Sequence, residues 1–131
     1  MKRILNADPY GKIALQGYDP VAFHTQGKAV KGDPYIPAEV LGYKFLFASE
    51  EDKAAFLKDP EKYLPAYGGY CAFGVSIGVL FPVEIGTWKM FEGRLALQYN
   101  DAIKARFAED EAANHRKAAA KWKEMEAELG K

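Results

Sequence analysis

Twice in this chain, two strand-like runs close on a two-residue connection that ends in glycine. Residues 35–40 and 43–48 flank Leu41-Gly42, and residues 87–91 and 94–99 flank Glu92-Gly93. A connection this short leaves the flanking runs no partner but each other, which predicts two antiparallel hairpins. Helix signals occupy the rest. Ser49 stands where a cap is needed, with Asp52 three residues on, and Asp59-Pro60 restarts a short helix that Pro65 stops. Asn100 caps a C-terminal helical region that runs to about Leu129, with Ile103, Phe107, Ala118, Trp122, Met125 and Leu129 as its apolar stripe. Glu111 and Asn114 or His115 interrupt that stripe, so a bend or break is expected near Asp110. Residues 13–18 read as a short strand, Asp19-Pro20 as the cap and first position of a helical turn, and residues 67–78 as a short buried helix in preference to an irregular loop. The expected fold is α+β: a small antiparallel sheet of two hairpins, short central helices and a longer C-terminal helical arm.

A chain of 131 residues makes one domain, and at that size a hydrophobic core forms without disulfide or metal support. Eight Phe, eight Tyr and two Trp predict that the core, and any pocket in it, is lined by rings. Eighteen basic residues balance eighteen acidic ones. A nucleic-acid partner needs a basic excess to neutralise phosphates, so none is expected. The Lys/Arg-dense stretch 116–123 is interleaved with alanine and followed by Glu124, Glu126 and Glu128, which reads as a solvated helix face. No apolar run approaches the length that crosses a bilayer, so no membrane partner is expected. The opening Met1-Lys2-Arg3-Ile4-Leu5-Asn6 lacks the apolar region of a signal peptide, which predicts a cytoplasmic protein; a periplasmic one is the alternative if a leader has been removed.

Two stretches carry a family likeness. Gly42-Tyr43-Lys44-Phe45-Leu46-Phe47-Ala48-Ser49, followed by Phe56 and Asp59-Pro60-Glu61-Lys62-Tyr63-Leu64, resembles the core of the YHS domain. Gly17-Tyr18-Asp19-Pro20-Val21-Ala22-Phe23 and Tyr67-Gly68-Gly69-Tyr70-Cys71-Ala72 resemble a stand-alone bacterial subgroup, as do Trp88 and Leu97-Gln98-Tyr99-Asn100. The likeness runs over about residues 13–122. It implies a single YHS-like domain and a metal association, because members fused to heavy-metal pumps carry a Phe-Cys-Ser-x-x-Cys pattern. Two thiolates one helical turn apart can converge on a soft or borderline cation. Here those two positions are Ala48 and Asp52, so that site does not transfer.

Other residues must therefore carry any chemistry. Cys71 is the single cysteine, which rules out an internal disulfide and a multi-cysteine zinc site. It reads either as a thiolate ligand or redox thiol, or as a small buried hydrophobe among rings. His24 reads as a nitrogen ligand, or as a helix-terminal histidine whose N–H satisfies carbonyls. Together Cys71 and His24 are the candidate metal ligands, for copper or zinc, with Asp19 or Glu84 as a third. Asp19 is better explained as the cap before Pro20. Glu111 and His115 share a helix face and suit an ordinary surface pair better than a relay. Ser76 matches the letters of Gly-x-Ser-x-Gly, but the chain is too short for the sheet a nucleophile elbow needs. Gly68-Gly69 reads as a close backbone approach among rings.

The function expected from these readings is non-catalytic binding of a metal ion or small ligand near Cys71. The alternatives are a structural or protein-interaction domain, as a homo-oligomer through the C-terminal helix with Trp122, Met125 and Leu129, and a thiol-based redox protein using Cys71.

Overall fold

A computed structural model describes residues 4–130 of the chain. Both hairpins form as their turn residues dictate. Strands β1 (Asp33–Val40) and β2 (Tyr43–Phe47), separated by the helical turn α1 (Ala22–Thr25) from the N-terminal segment, pair antiparallel with Val40 opposite Tyr43 and Ala38 opposite Phe45. Leu41 and Gly42 hold φ of 59° and 82°, the left-handed pair that matches strand twist in a tight hairpin. Helix α2 (Glu50–Lys58) follows, with the Ser49 hydroxyl accepting the Asp52 N–H at 3.1 Å, and α3 (Pro60–Tyr63) places Pro60 where its missing N–H costs nothing. After a 3₁₀ turn (Ala66–Gly69) and α4 (Ala72–Ser76), strands β3 (Glu84–Phe91) and β4 (Arg94–Gln98) make the second hairpin. Its turn, Glu92 and Gly93, repeats the left-handed pair at 49° and 80°. Helix α5 (Asp101–Ala108) starts on the Asn100 side chain, which accepts the Ile103 N–H at 2.9 Å.

The helical arm breaks where the interrupted stripe predicts. Asp110, at φ −148° and ψ 66°, separates α5 from α6 (Glu111–Leu129), and the Asn114 amide spans the break by donating to the Phe107 carbonyl at 2.8 Å. Two expectations change. The hairpins form two separate two-stranded sheets, because local backbone covers their free edges. Lys12 and Ala14 exchange bonds with Lys44 of β2, and Cys71 bridges Leu97 of β4. Residues 13–18 do not make a strand: isolated bridges at Ile13 and Tyr18 flank a 3₁₀ turn in which Leu15, Gln16 and Gly17 all have positive φ.

Packing divides into three clusters. Phe45, Phe47 and Tyr63 meet Phe56, with ring centroids 4.8, 5.3 and 6.4 Å apart. Ala66, Tyr67, Ala72, Val75, Phe107 and Ala118 bring α4 and α6 together, with Trp122 and Met125 packed against them. Leu15, Phe23, Ile85, Leu95 and Leu97 form the third, closed by Trp88. The 3₁₀ turn joins the first two clusters to the N-terminal segment. Asn6 N–H donates to the Gly68 carbonyl at 2.7 Å, and a Cβ at Gly68 would collide with the Ile4 carbonyl and the Trp122 ring. That close approach is the role expected for the Gly-Gly pair.

Candidate functional site

Cys71 is fully buried, at the N-terminus of α4, and its thiol ties that helix to the end of β4. Sγ accepts the Tyr99 N–H at 3.2 Å and the Gly74 N–H at 3.5 Å, and donates to Gln98 Oε1 at 3.5 Å. The same Gln98 oxygen accepts the Phe73 N–H at 3.1 Å. Sulfur here does the work of a serine cap, with a glutamine side chain as the shared acceptor. Outward from this junction opens a cavity of about 480 Å³ lined by Cys71, Phe73, Phe81, Pro82, Tyr99 and Ile103. Phe81 and Tyr99 stand with ring centroids 5.9 Å apart on its wall. Apart from the thiol and the Tyr99 hydroxyl, the lining side chains are hydrocarbon, so the cavity suits an apolar guest.

His24 has different surroundings. It sits in the last turn of α1, edge-on to Tyr63 at 5.0 Å, with Nε2 buried and without a hydrogen-bond partner. The expected carbonyl partner is therefore missing at that nitrogen. Burial first, then the charges of Lys62 and Arg94, hold its pKa below the usual imidazole value. The polar partners of Cys71 and the neighbours of His24 have no residue in common. Among the described residues no group of three His, Cys, Asp or Glu side chains is placed to hold a metal ion. The bonding directions of the thiol go to two backbone amides and an amide side-chain oxygen.

Ala48 and Asp52 are both tied to Asp19. Asp19 is fully buried, its Oδ1 accepting the Val21 and Ala22 N–H groups at 2.8 and 3.3 Å and its Oδ2 accepting the Ala48 N–H at 2.8 Å. It is the cap that Asp19-Pro20 predicts, and it also anchors β2. The Asp52 carboxyl faces Asp19, and that contact, with burial and the charges of Asp19 and Glu51, raises its pKa to about 6. Ser76 Oγ donates to the Phe73 carbonyl at 2.6 Å, a local back-bond within α4.

The pairing of Glu111 with His115 is corrected. Glu111 pairs instead with Lys89 at 2.9 Å, while His115 is buried, Nδ1 2.7 Å from the Tyr67 hydroxyl and its ring stacked on Phe91 at 4.2 Å. Gln98 and Tyr67, each central to a cluster of polar bonds, lie within motifs of the sequence, yet no local signal marks their partners. The expected oligomer face is largely used within the chain: Trp122 and Met125 pack on the second cluster, and Leu129 is exposed. No described helix is long and apolar enough to cross a membrane.

No protein-family model matches the chain, and no curated protein and no solved structure matches it.

Proposed function

We propose that this chain is a YHS-type binding domain that takes a small, neutral, apolar molecule into the cavity above Cys71, without catalysis. The observation that supports this is the lining: five apolar or aromatic residues around a thiol whose hydrogen-bonding capacity is already used. A volume of about 480 Å³ lies within the range of small-molecule sites. Burying ~150 Å² of apolar surface there contributes about 4 kcal/mol, enough for binding near the millimolar range before ordering costs. Cys71 acts as floor and cap, and the Gly-rich motif around it brings Tyr99 and Phe81 to the rim.

The test is titration with the neutral fluorophore N-phenyl-1-naphthylamine. Saturable enhancement is expected, and Ile103→Trp, which puts an indole into the cavity, should abolish it while the far-UV spectrum stays unchanged. Absence of saturation, or an unaltered titration in Ile103→Trp, sinks the organic-ligand reading. Stoichiometric zinc or copper uptake that Cys71→Ser removes would replace it with the metal reading.

A further inference from the structure

A second cleft lies between the β3–β4 turn and α6, and it shares no lining residue with the Cys71 cavity. Its volume is about 430 Å³, and Tyr67, Phe91, Arg94, His115 and Arg116 give it its chemistry. The wall is rigid. His115 is stacked on Phe91 with 15° between planes, met edge-on by Phe107 at 4.8 Å, and held at Nδ1 by the Tyr67 hydroxyl. Tyr67 reaches it from a left-handed backbone, φ 55°, a conformation that costs a non-glycine residue about 1 kcal/mol. Burial pushes the Tyr67 phenol up to about 12, so it stays protonated and can donate to His115. The same hydroxyl lies 3.2 Å from the His115 backbone carbonyl, so both the ring and the main chain of His115 are tied to Tyr67.

The rim is charged, and Arg94 is steadied there by donating from Nη2 to the Leu64 carbonyl at 3.5 Å. Neither Arg94 nor Arg116 makes an ion pair among the described residues. Glu111, close by on α6, is already neutralised by Lys89, which leaves Glu92 as the acidic side chain lining the cleft against two guanidiniums. Guanidinium forks select planar oxyanions, and an aromatic wall selects planar π-systems.

We propose that this cleft binds a small planar carboxylate, its ring against Phe91 and His115 and its carboxylate held by Arg94 and Arg116. This site is independent of the Cys71 cavity, and either can fail without the other. The probe is benzoate, added to full-length protein carrying isotope-labelled histidine. The chain has two histidines, and His24 does not line the cleft and senses it only through the charge of Arg94.

Benzoate should shift the His115 ring signals saturably below about 10 mM and move those of His24 far less. Arg94→Gln and Arg116→Gln, both at exposed positions, should each weaken binding about five- to tenfold with the spectrum otherwise preserved. Benzamide, the neutral isostere, should bind at least about tenfold more weakly. No His115 shift, unchanged affinity in both arginine variants, or equal binding of benzamide overturns the proposal. A response to inorganic phosphate as large as that to benzoate overturns the planar-carboxylate assignment and leaves a general anion site.

Discussion

Asp52 keeps its proton to a higher pH than an isolated carboxyl because it faces Asp19. Three backbone N–H groups donate to the buried Asp19, and Asp52, which faces it, carries the raised pKa of about 6. A carboxyl whose pKa is higher in the folded chain than its ordinary 3.8 stabilises the fold fully below about pH 4, and that contribution disappears as pH rises through about 6. Asp52 is half-buried, and solvent screening reduces the effect to about 1 kcal/mol. His24 and His115 work in the opposite direction. Burial holds both below the usual imidazole value, so their contribution is present above about 6.5 and is lost as pH falls. The clean measurement is the difference between Asp52→Asn and the parent protein in urea unfolding. The asparagine variant should match the parent near pH 4.5 and exceed it by about 1 kcal/mol at pH 7.5; a constant difference across that range would mean that the Asp52 pKa is not raised. Thr87 is a second informative residue. Between Glu84 and Lys89 the register of the second hairpin shifts, and the Thr87 hydroxyl fills the gap, accepting the Gln98 N–H at 2.8 Å and donating to the Glu84 carbonyl at 2.6 Å. Thr87→Val keeps the shape and strands both backbone groups, which should cost about 1–3 kcal/mol in thermal unfolding.

At the scale of elements, the hairpins depend on turns whose first residue is not the one such turns favour. Leu41 and Glu92 both hold positive φ, where a β-carbon meets the following carbonyl, and Leu41 is also half exposed. Asparagine tolerates that backbone and is the preferred first residue of this turn. Leu41→Asn and Glu92→Asn should therefore each stabilise the protein by about 0.5–1 kcal/mol, read as a rise in melting temperature. A fall in either variant would show that the native side chain contributes more than its strain costs. The hairpins themselves were legible from Leu41-Gly42 and Glu92-Gly93, because turn chemistry is local. The break at Asp110 was legible too, from an apolar stripe that loses its phase. Residues 13–18 misled, because a run with strand-like composition says nothing about three successive left-handed residues.

Across the whole molecule, three clusters meet without a large sheet to join them. Helix α6 and the 3₁₀ turn tie the second cluster to the N-terminal segment through Gly68 and Trp122, while Trp88 sits with Phe23 in the third, their rings 5.4 Å apart. The two tryptophans therefore report on different parts of the core. If the clusters fold as one unit, the single-tryptophan variants Trp88→Phe and Trp122→Phe should each unfold in urea in one transition, and the midpoints from fluorescence and far-UV circular dichroism should coincide within each variant. Separate midpoints would divide the molecule into subunits of stability, with the Cys71 junction between α4 and β4 as the natural boundary.

What the amino-acid sequence determined here is what short-range physics decides: α+β content, two tight hairpins, the caps at Ser49 and Asn100, and an aromatic core. Tertiary structure alone decided the partners. Cys71 meets Gln98 and Tyr99, Asp52 meets Asp19, and Tyr67 meets His115, 48 positions away. Spacing along the chain sets which side chains share a turn or a face, whereas these pairs depend on how hairpins and helices stack. The same spacing that put Glu111 and His115 on one helical face left open which of them turned inward. Packing against Phe91 and Phe107 sent the imidazole into the core and left the carboxylate to Lys89.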